Sequence, residues 1–238
     1  MAGFLDNLPK VTRSILIVCV IVFLGQAVGE LIGKGDVITE YFALFYPASG
    51  YFRFWQPLTY MFVHGGFMHL FFNMWAFIVF GAVLEKALGE KRYLTLFLVC
   101  GLGAAAVHLG VEYFQYRHYF AGFVALNPGH SMEELTTYFN AYQVDMACPP
   151  TVGASGAIYG IMLAFSMMWP NARLTLLFPP VSLKAKWLAI IFIGIELLTG
   201  IFLTSDGVAH FAHLGGMLFA FILMIWWKRR GVIRKYYW

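Results

Sequence analysis

The segment CPPTVGASGAIYG, residues 148–160, sets a glycine-flanked serine at the mouth of an apolar helical pattern, just after two prolines. Ser155 admits two readings. Serine is a favoured helix N-cap, and glycine loosens the turn before a helix. A hydroxyl is also a nucleophile once a neighbouring base removes its proton. Histidine does this near neutral pH and can pass the proton on to a leaving amine. His213, in the segment AHLGGMLFA at 212–220, is the candidate base. Acyl transfer also needs donors for the developing oxyanion. The Ser155 N–H at a helix N-terminus is one candidate. HLFFN at 69–73 supplies two more, His69 and Asn73, four residues apart on one helical face.

These residues need elements to hold them, and composition says what kind. The chain has 238 residues, 61% of them hydrophobic and 12% charged, too apolar for a soluble domain of this length. Six apolar runs fit bilayer spans: about 14–33, 62–84, 92–112, 153–169, 187–204 and 208–227. Internal repeats, low-complexity tracts and linkers between soluble domains are absent. The expectation is an all-α membrane protein, with residues 1–238 forming a single integral membrane domain. No small-residue cleavage site follows the first run, so 14–33 is read as a retained helix.

The basic charges mark topology. Lys10 and Arg13 precede the first span, and Lys86, Lys91 and Arg92 join the second to the third. Arg173, Lys184 and Lys186 lie between the fourth and fifth, and Lys228, Arg229, Arg230, Arg234 and Lys235 follow the sixth. The alternate loops hold Lys34, Arg53 and Arg117 against seven acids: Asp36, Glu40, Glu112, Glu133, Glu134, Asp145 and Asp206. This asymmetry predicts cytoplasmic termini and an even number of spans. It leaves no basic surface to argue for nucleic acid.

The fourth run is short. From Gly153 to Met168 it has about 16 residues, or roughly 24 Å of helix against a hydrocarbon core of about 30 Å. If Pro170 marks the cytoplasmic surface, Ser155 lies below the outer one. The chain leading to it must then be buried in protein or face water. Gly156 with Gly160, and Gly216 with Ala220, form small-residue faces on the fourth and sixth spans. Such faces let backbones approach, which would bring His213 to Ser155.

In this order and in these spans, the segments resemble the rhomboid intramembrane serine proteases. GASG at 153–156 with Tyr159 is similar to the family's nucleophile motif, and HLFFN at 69–73 to its oxyanion element. AHLGGMLFA resembles its base motif and selects His213 over His210. FWQPLTYMFVHGGFMH at 54–69 resembles the stretch from its membrane-embedded first loop into the second span. The likeness runs from about residue 52 to 227.

It implies a six-helix bundle with a short fourth helix starting inside the membrane. It also implies a Ser155–His213 dyad without a third acidic member, with Tyr159 stacked on His213 to fix its ring. Gly153, Gly156 and Gly216 are expected to shape the site. The implied activity is serine endopeptidase cleavage of transmembrane protein substrates near the outer leaflet, in a bacterial inner membrane. No cofactor is implied. Gln56 departs from the arginine some bacterial members carry after the tryptophan, and the loop expected over 113–150 is longer than the minimal form.

Other readings draw on the same residues. A catalytically inactive rhomboid-like protein that binds client transmembrane helices is the alternative, although such relatives usually lack the nucleophile or the base. A transporter would show inverted repeats or paired broken helices. His64, His210 and His213 lack the carboxylate or thiolate company and the H-E-x-x-H pattern that favour zinc. Cys19, Cys100 and Cys148 have neither metal nor disulfide spacing. His69 and Asn73 have a structural reading as polar glue between helices. Glu196, in the fifth span, is either protonated or paired. The sequence does not name its partner, the natural substrate or the oligomeric state.

Overall fold

The computed structural model of the chain describes residues 3–34, 37–175, 181–202 and 209–233. Among these, five helices are long and apolar enough to cross a membrane: α1 (Lys10–Leu31), α2 (Phe67–Leu88), α3 (Glu90–Leu126), α6 (Ala185–Phe202) and α7 (His210–Arg229). Between α3 and α6 come α4 (Met132–Tyr142), the shorter apolar α5 (Ser155–Met168), and strands β1 (Arg173–Thr175) and β2 (Ser182–Lys184). Large apolar side chains face outward along the long helices, such as Ile21 and Leu24 on α1, Leu198 on α6 and Phe221 on α7. In water such a surface would be a liability, but in lipid it is solvated. The chain is an integral, multi-pass membrane protein.

The six predicted apolar runs fall on helices with shifted ends, five of them long enough to span. The fourth shortens to the 14 residues of α5, about 21 Å of helix. The third grows to 37 residues, about 55 Å, and carries well past any bilayer. That growth overturns the reading of 113–150 as a loop. The end of α3, the helix α4 and the turn Val144–Ala147 fold into a helical hairpin instead. Tyr116, Phe120 and Phe123 of α3 pack edge-on or tilted against Phe139 of α4, closing a separate aromatic cluster with Tyr46, Val144 and Cys148. Ser131 caps α4 by accepting from the Glu134 N–H at 3.2 Å, and Glu134 accepts in return from the Ser131 N–H at 3.0 Å.

The all-α expectation also needs one correction. β1 and β2 pair antiparallel, Arg173 with Lys184 and Thr175 with Ser182, on the connection from α5 to α6. The remaining residues of that connection, 176–180, lie outside the described residues. So do residues 203, 204 and 208 of the predicted fifth and sixth spans, and Asp36, Asp206, Arg234 and Lys235 of the charge pattern.

At the centre, α7 packs against α3 and α5. A Cβ on Gly216 would overlap the Gly156 carbonyl, and one on Gly160 would sit 2.7 Å from the Gly216 oxygen. Only glycine allows backbones this close, as the small-residue spacing predicts. Helix α2 runs alongside α5, with Phe80 and Phe165 at a 5.2 Å ring separation in their second halves. The starts of α2, α5 and α7, which carry His69, Ser155 and His213, therefore share one end. The described basic residues at the start of α1 and the ends of α2 and α7 gather at the other.

Candidate active site

Ser155 is the first residue of α5, and Ala154 rather than Ser155 occupies the N-cap position. The hydroxyl is thus not spent on capping. Its hydrogen bond runs to His213 Nε2 at 2.7 Å. The chain reaches this point through backbone bonds in both directions between Leu44 and Thr151, each 2.9 Å, and from the Gly153 N–H to the Tyr60 carbonyl at 2.9 Å. Gly153 has φ of +118°, a conformation open to glycine at little cost, and a Cβ there would strike the His69 ring at 2.8 Å. Two glycines therefore make the site: one turns the chain beneath His69, the other lets α7 close on α5.

Tyr159 lies flat on the His213 ring, with centroids 4.2 Å apart and planes within 5°. The stacking expected from the resemblance is present. His69 accepts from the Gly65 N–H at Nδ1, 3.3 Å away, so in the neutral ring Nε2 carries the proton as a donor on the Gly153 side. Asn73 donates one amide proton to the His69 carbonyl at 2.8 Å and keeps a second.

Two cavities meet at Ser155 and Asn73. A cleft of about 310 Å³ between α2, α5 and α6 is lined by Trp75, Val79, Ile158, Met162, Leu188 and Phe192 among other, mostly apolar, side chains. A polar cavity of about 620 Å³ lies on the other side, walled by His69, His213, His108, Glu112 and the Pro149–Thr151 chain. The helical hairpin contributes to this wall through Gln115 and Tyr119. His108 Nε2 contacts both Thr151 Oγ1 at 2.6 Å and Glu112 Oε1 at 3.3 Å, tying the chain before Ser155 to α3.

Sequence reasoning left two polar residues without partners. Gln56 is fully buried. It donates to the Tyr51 carbonyl at 2.9 Å and accepts from the Arg53 N–H at 3.1 Å and the Phe45 N–H at 3.4 Å, so a neutral amide organises the first loop. Glu196 of α6 is 4% exposed, and its Oε2 lies 2.7 Å from His210 Nδ1 and 3.0 Å from His213 Nδ1. The second contact is at ion-pair distance but off the line of a well-formed hydrogen bond. This departs from the resemblance, which implies no acidic partner for His213. The i, i+3 spacing of His210 and His213, facing a carboxylate that needed a partner, was the signal available in the sequence.

Glu196, His210 and His213 are also the one group of metal-type donors close enough together among the described residues. Two ligands on a tetrahedral zinc at about 2.0–2.1 Å stand about 3.3 Å apart. The observed separations of 2.7 and 3.0 Å are shorter, as for a carboxylate in direct contact with two imidazoles. His64 is buried against His69 with rings 5.3 Å apart, and does not join this group. Cys19 and Cys100 are buried in the helix packing. Outside the spans, burial first and then the nearby Glu112 charge push the Cys148 thiol up to about 12, leaving it protonated and inert.

A family profile for the rhomboid domain matches residues 51–230. The chain is 28% identical over 179 residues to Rhomboid protease AarA of Providencia stuartii, covering 72% of this chain and 55% of the relative. It is 28% identical over 101 residues to Rhomboid protease GlpG of Haemophilus influenzae, covering 42% and 50%. RHOMBOID-like protein 6, mitochondrial, of Arabidopsis thaliana is 28% identical over 174 residues, covering 71% and 42%. The chain thus spans about half the length of the curated relatives it matches. With the profile covering most of its length and the helices in the order that the motifs require, the chain belongs to the rhomboid family.

Proposed function

We propose that the chain is an intramembrane serine endopeptidase that cleaves transmembrane segments of other proteins. The observation that carries this reading is the position of Ser155 Oγ, 2.7 Å from His213 Nε2 where an apolar cleft meets a polar cavity. The apolar cleft suits a substrate helix arriving from lipid, and the polar cavity suits the water that completes hydrolysis. A site that only bound helices would have no use for a hydroxyl hydrogen-bonded to an imidazole within reach of both.

In the proposed reaction, His213 Nε2 takes the Ser155 proton as Oγ attacks the scissile carbonyl. The Ser155 N–H, Asn73 and His69 stabilise the oxyanion. His213 then gives its proton to the leaving amine, and water deprotonated by the same nitrogen releases the acyl group. Tyr159 holds the imidazole plane, and Gly153, Gly156 and Gly216 set the approach of the elements. The short helix α5 acts as a sixth span beginning beneath the outer lipid surface. The basic end faces the cytoplasm of a bacterial cell, placing the polar cavity on the outward side.

The test is fluorophosphonate labelling of the full chain beside Ser155→Ala, paired with cleavage of a transmembrane substrate in proteoliposomes. Labelling and cleavage by the wild type, both lost in Ser155→Ala and in His213→Ala, are expected. Labelling that survives Ser155→Ala would refute the assignment of the nucleophile. A wild type inert in both assays would point to a client-binding relative.

A further inference from the structure

We infer that Glu196 is a positioning residue for His213, extending the Ser155–His213 pair to a three-member arrangement with His210 as the anchor of its carboxylate. This rests on the serine protease reading of the same site.

Glu196 projects from α6 into the helix packing near the start of α7, where an ionised carboxylate persists only with compensating donors. Two imidazoles supply them. His210 Nδ1 donates to Oε2 at 2.7 Å and also contacts Thr199 Oγ1 at 3.0 Å, which fixes the first ring to α6. His213 Nδ1 faces the same oxygen at 3.0 Å. Tyr159 stacks flat on the His213 ring, with centroids 4.2 Å apart, and so holds the plane in which Nδ1 meets the carboxylate.

The consequence for proton transfer follows from the two nitrogens of one ring. A carboxylate at Nδ1 accepts a proton-bearing nitrogen and disfavours a lone pair there. The neutral His213 ring therefore carries its proton on Nδ1 and turns the Nε2 lone pair toward the Ser155 hydroxyl, 2.7 Å away. When the Ser155 proton moves to Nε2, the ring becomes an imidazolium and Glu196 balances its charge in a site of low dielectric. Glu196 keeps its own charge throughout. No proton passes to it, and the later transfer to the leaving amine returns His213 to the Nδ1–H tautomer. Attraction between the carboxylate and the ring grows as the imidazolium forms, so the pair is stronger in the transition state than in the resting site.

The experiment combines kinetics with the tautomer of His213. Nitrogen-15 histidine spectra of the wild type in nanodiscs should show His213 protonated at Nδ1, with Nε2 an acceptor. Glu196→Gln should lower kcat for a transmembrane substrate about 10²-fold or more with KM nearly unchanged, and shift the His213 nitrogen signals toward mixed tautomers. Glu196→Asp should recover part of the rate. A wild-type His213 protonated at Nε2 overturns the proposal, whether or not the variants fold. So does a folded Glu196→Gln with kcat within about threefold of wild type. If the wild type cleaves nothing, the protease reading falls while the tautomer of His213 still decides the role of Glu196.

Discussion

At the residue scale, a serine at a helix start can serve the helix or a reaction, and its hydrogen bond separates the two. The Ser155 hydroxyl points to His213, and Ala154 holds the cap position. That pairing was legible because the serine and histidine motifs each lie beside a small-residue face that lets their two helices close on one another. The partner of Glu196 was only hinted at, by the i, i+3 spacing of His210 and His213. Hydropathy marks a carboxylate in a span as needing compensation, but the rotation of α6 about its axis decides which side chain supplies it. Gln56 was obscure for a similar reason: its bonds run to main-chain groups of a loop whose path no periodicity reveals. Asn73 offers the residue-scale test. It keeps one amide proton free at the junction of both cavities, so Asn73→Ala should reduce kcat by about 10²- to 10³-fold, with little change in KM. Steady-state cleavage in proteoliposomes measures it. A loss shared by KM and kcat would instead mean that Asn73 binds substrate.

At the scale of elements, apolar length located the long helices but could not say where they stop. Helix α3 continues beyond the bilayer because its aromatic face, Tyr116, Phe120 and Phe123, finds Phe139 on α4. Polar residues between those aromatics hid the pattern from a reading based on apolar runs. A turn of wider, π-type helix over Phe77–Gly81 interrupts α2 below Asn73, another feature without a sequence signal. The end of α2 then performs a task invisible in any single segment. Glu85, 3% exposed, accepts from the Val11 N–H at 2.8 Å and from both the N–H and the hydroxyl of Thr12 at 2.7 Å. It caps α1 from another helix and supplies the negative charge that a helix start favours. Glu85→Ala would strand these donors, with an expected cost of about 3 kcal/mol. Unfolding in mixed detergent micelles reads this loss, and a change below about 1 kcal/mol would mean that water replaces the carboxylate.

For the whole molecule, the informative feature is that one hydroxyl borders two spaces of opposite character. The clustering of basic residues at one end was readable from charge, and the start of α5 at the opposite end from the shortness of its helix. The cleft was not, because it exists only where α2, α5 and α6 fail to close on one another. If the cleft admits the substrate helix while small molecules arrive through the polar cavity, the two routes can be blocked separately. Val79 lines the cleft and is 40% exposed at its lipid-facing side, so a larger side chain fits there without disturbing the packing beneath. Val79→Trp should slow cleavage of a transmembrane substrate at least about 10-fold, since a ring of this size occupies much of a space that must hold part of a helix. Labelling of Ser155 by a small fluorophosphonate should stay within about twofold, because its path does not pass Val79. Parallel measurement of both rates on one proteoliposome preparation distinguishes a blocked entrance from a damaged centre. Equal slowing of the two would place the obstruction at Ser155 itself, and no slowing of either would remove the cleft from the substrate's path.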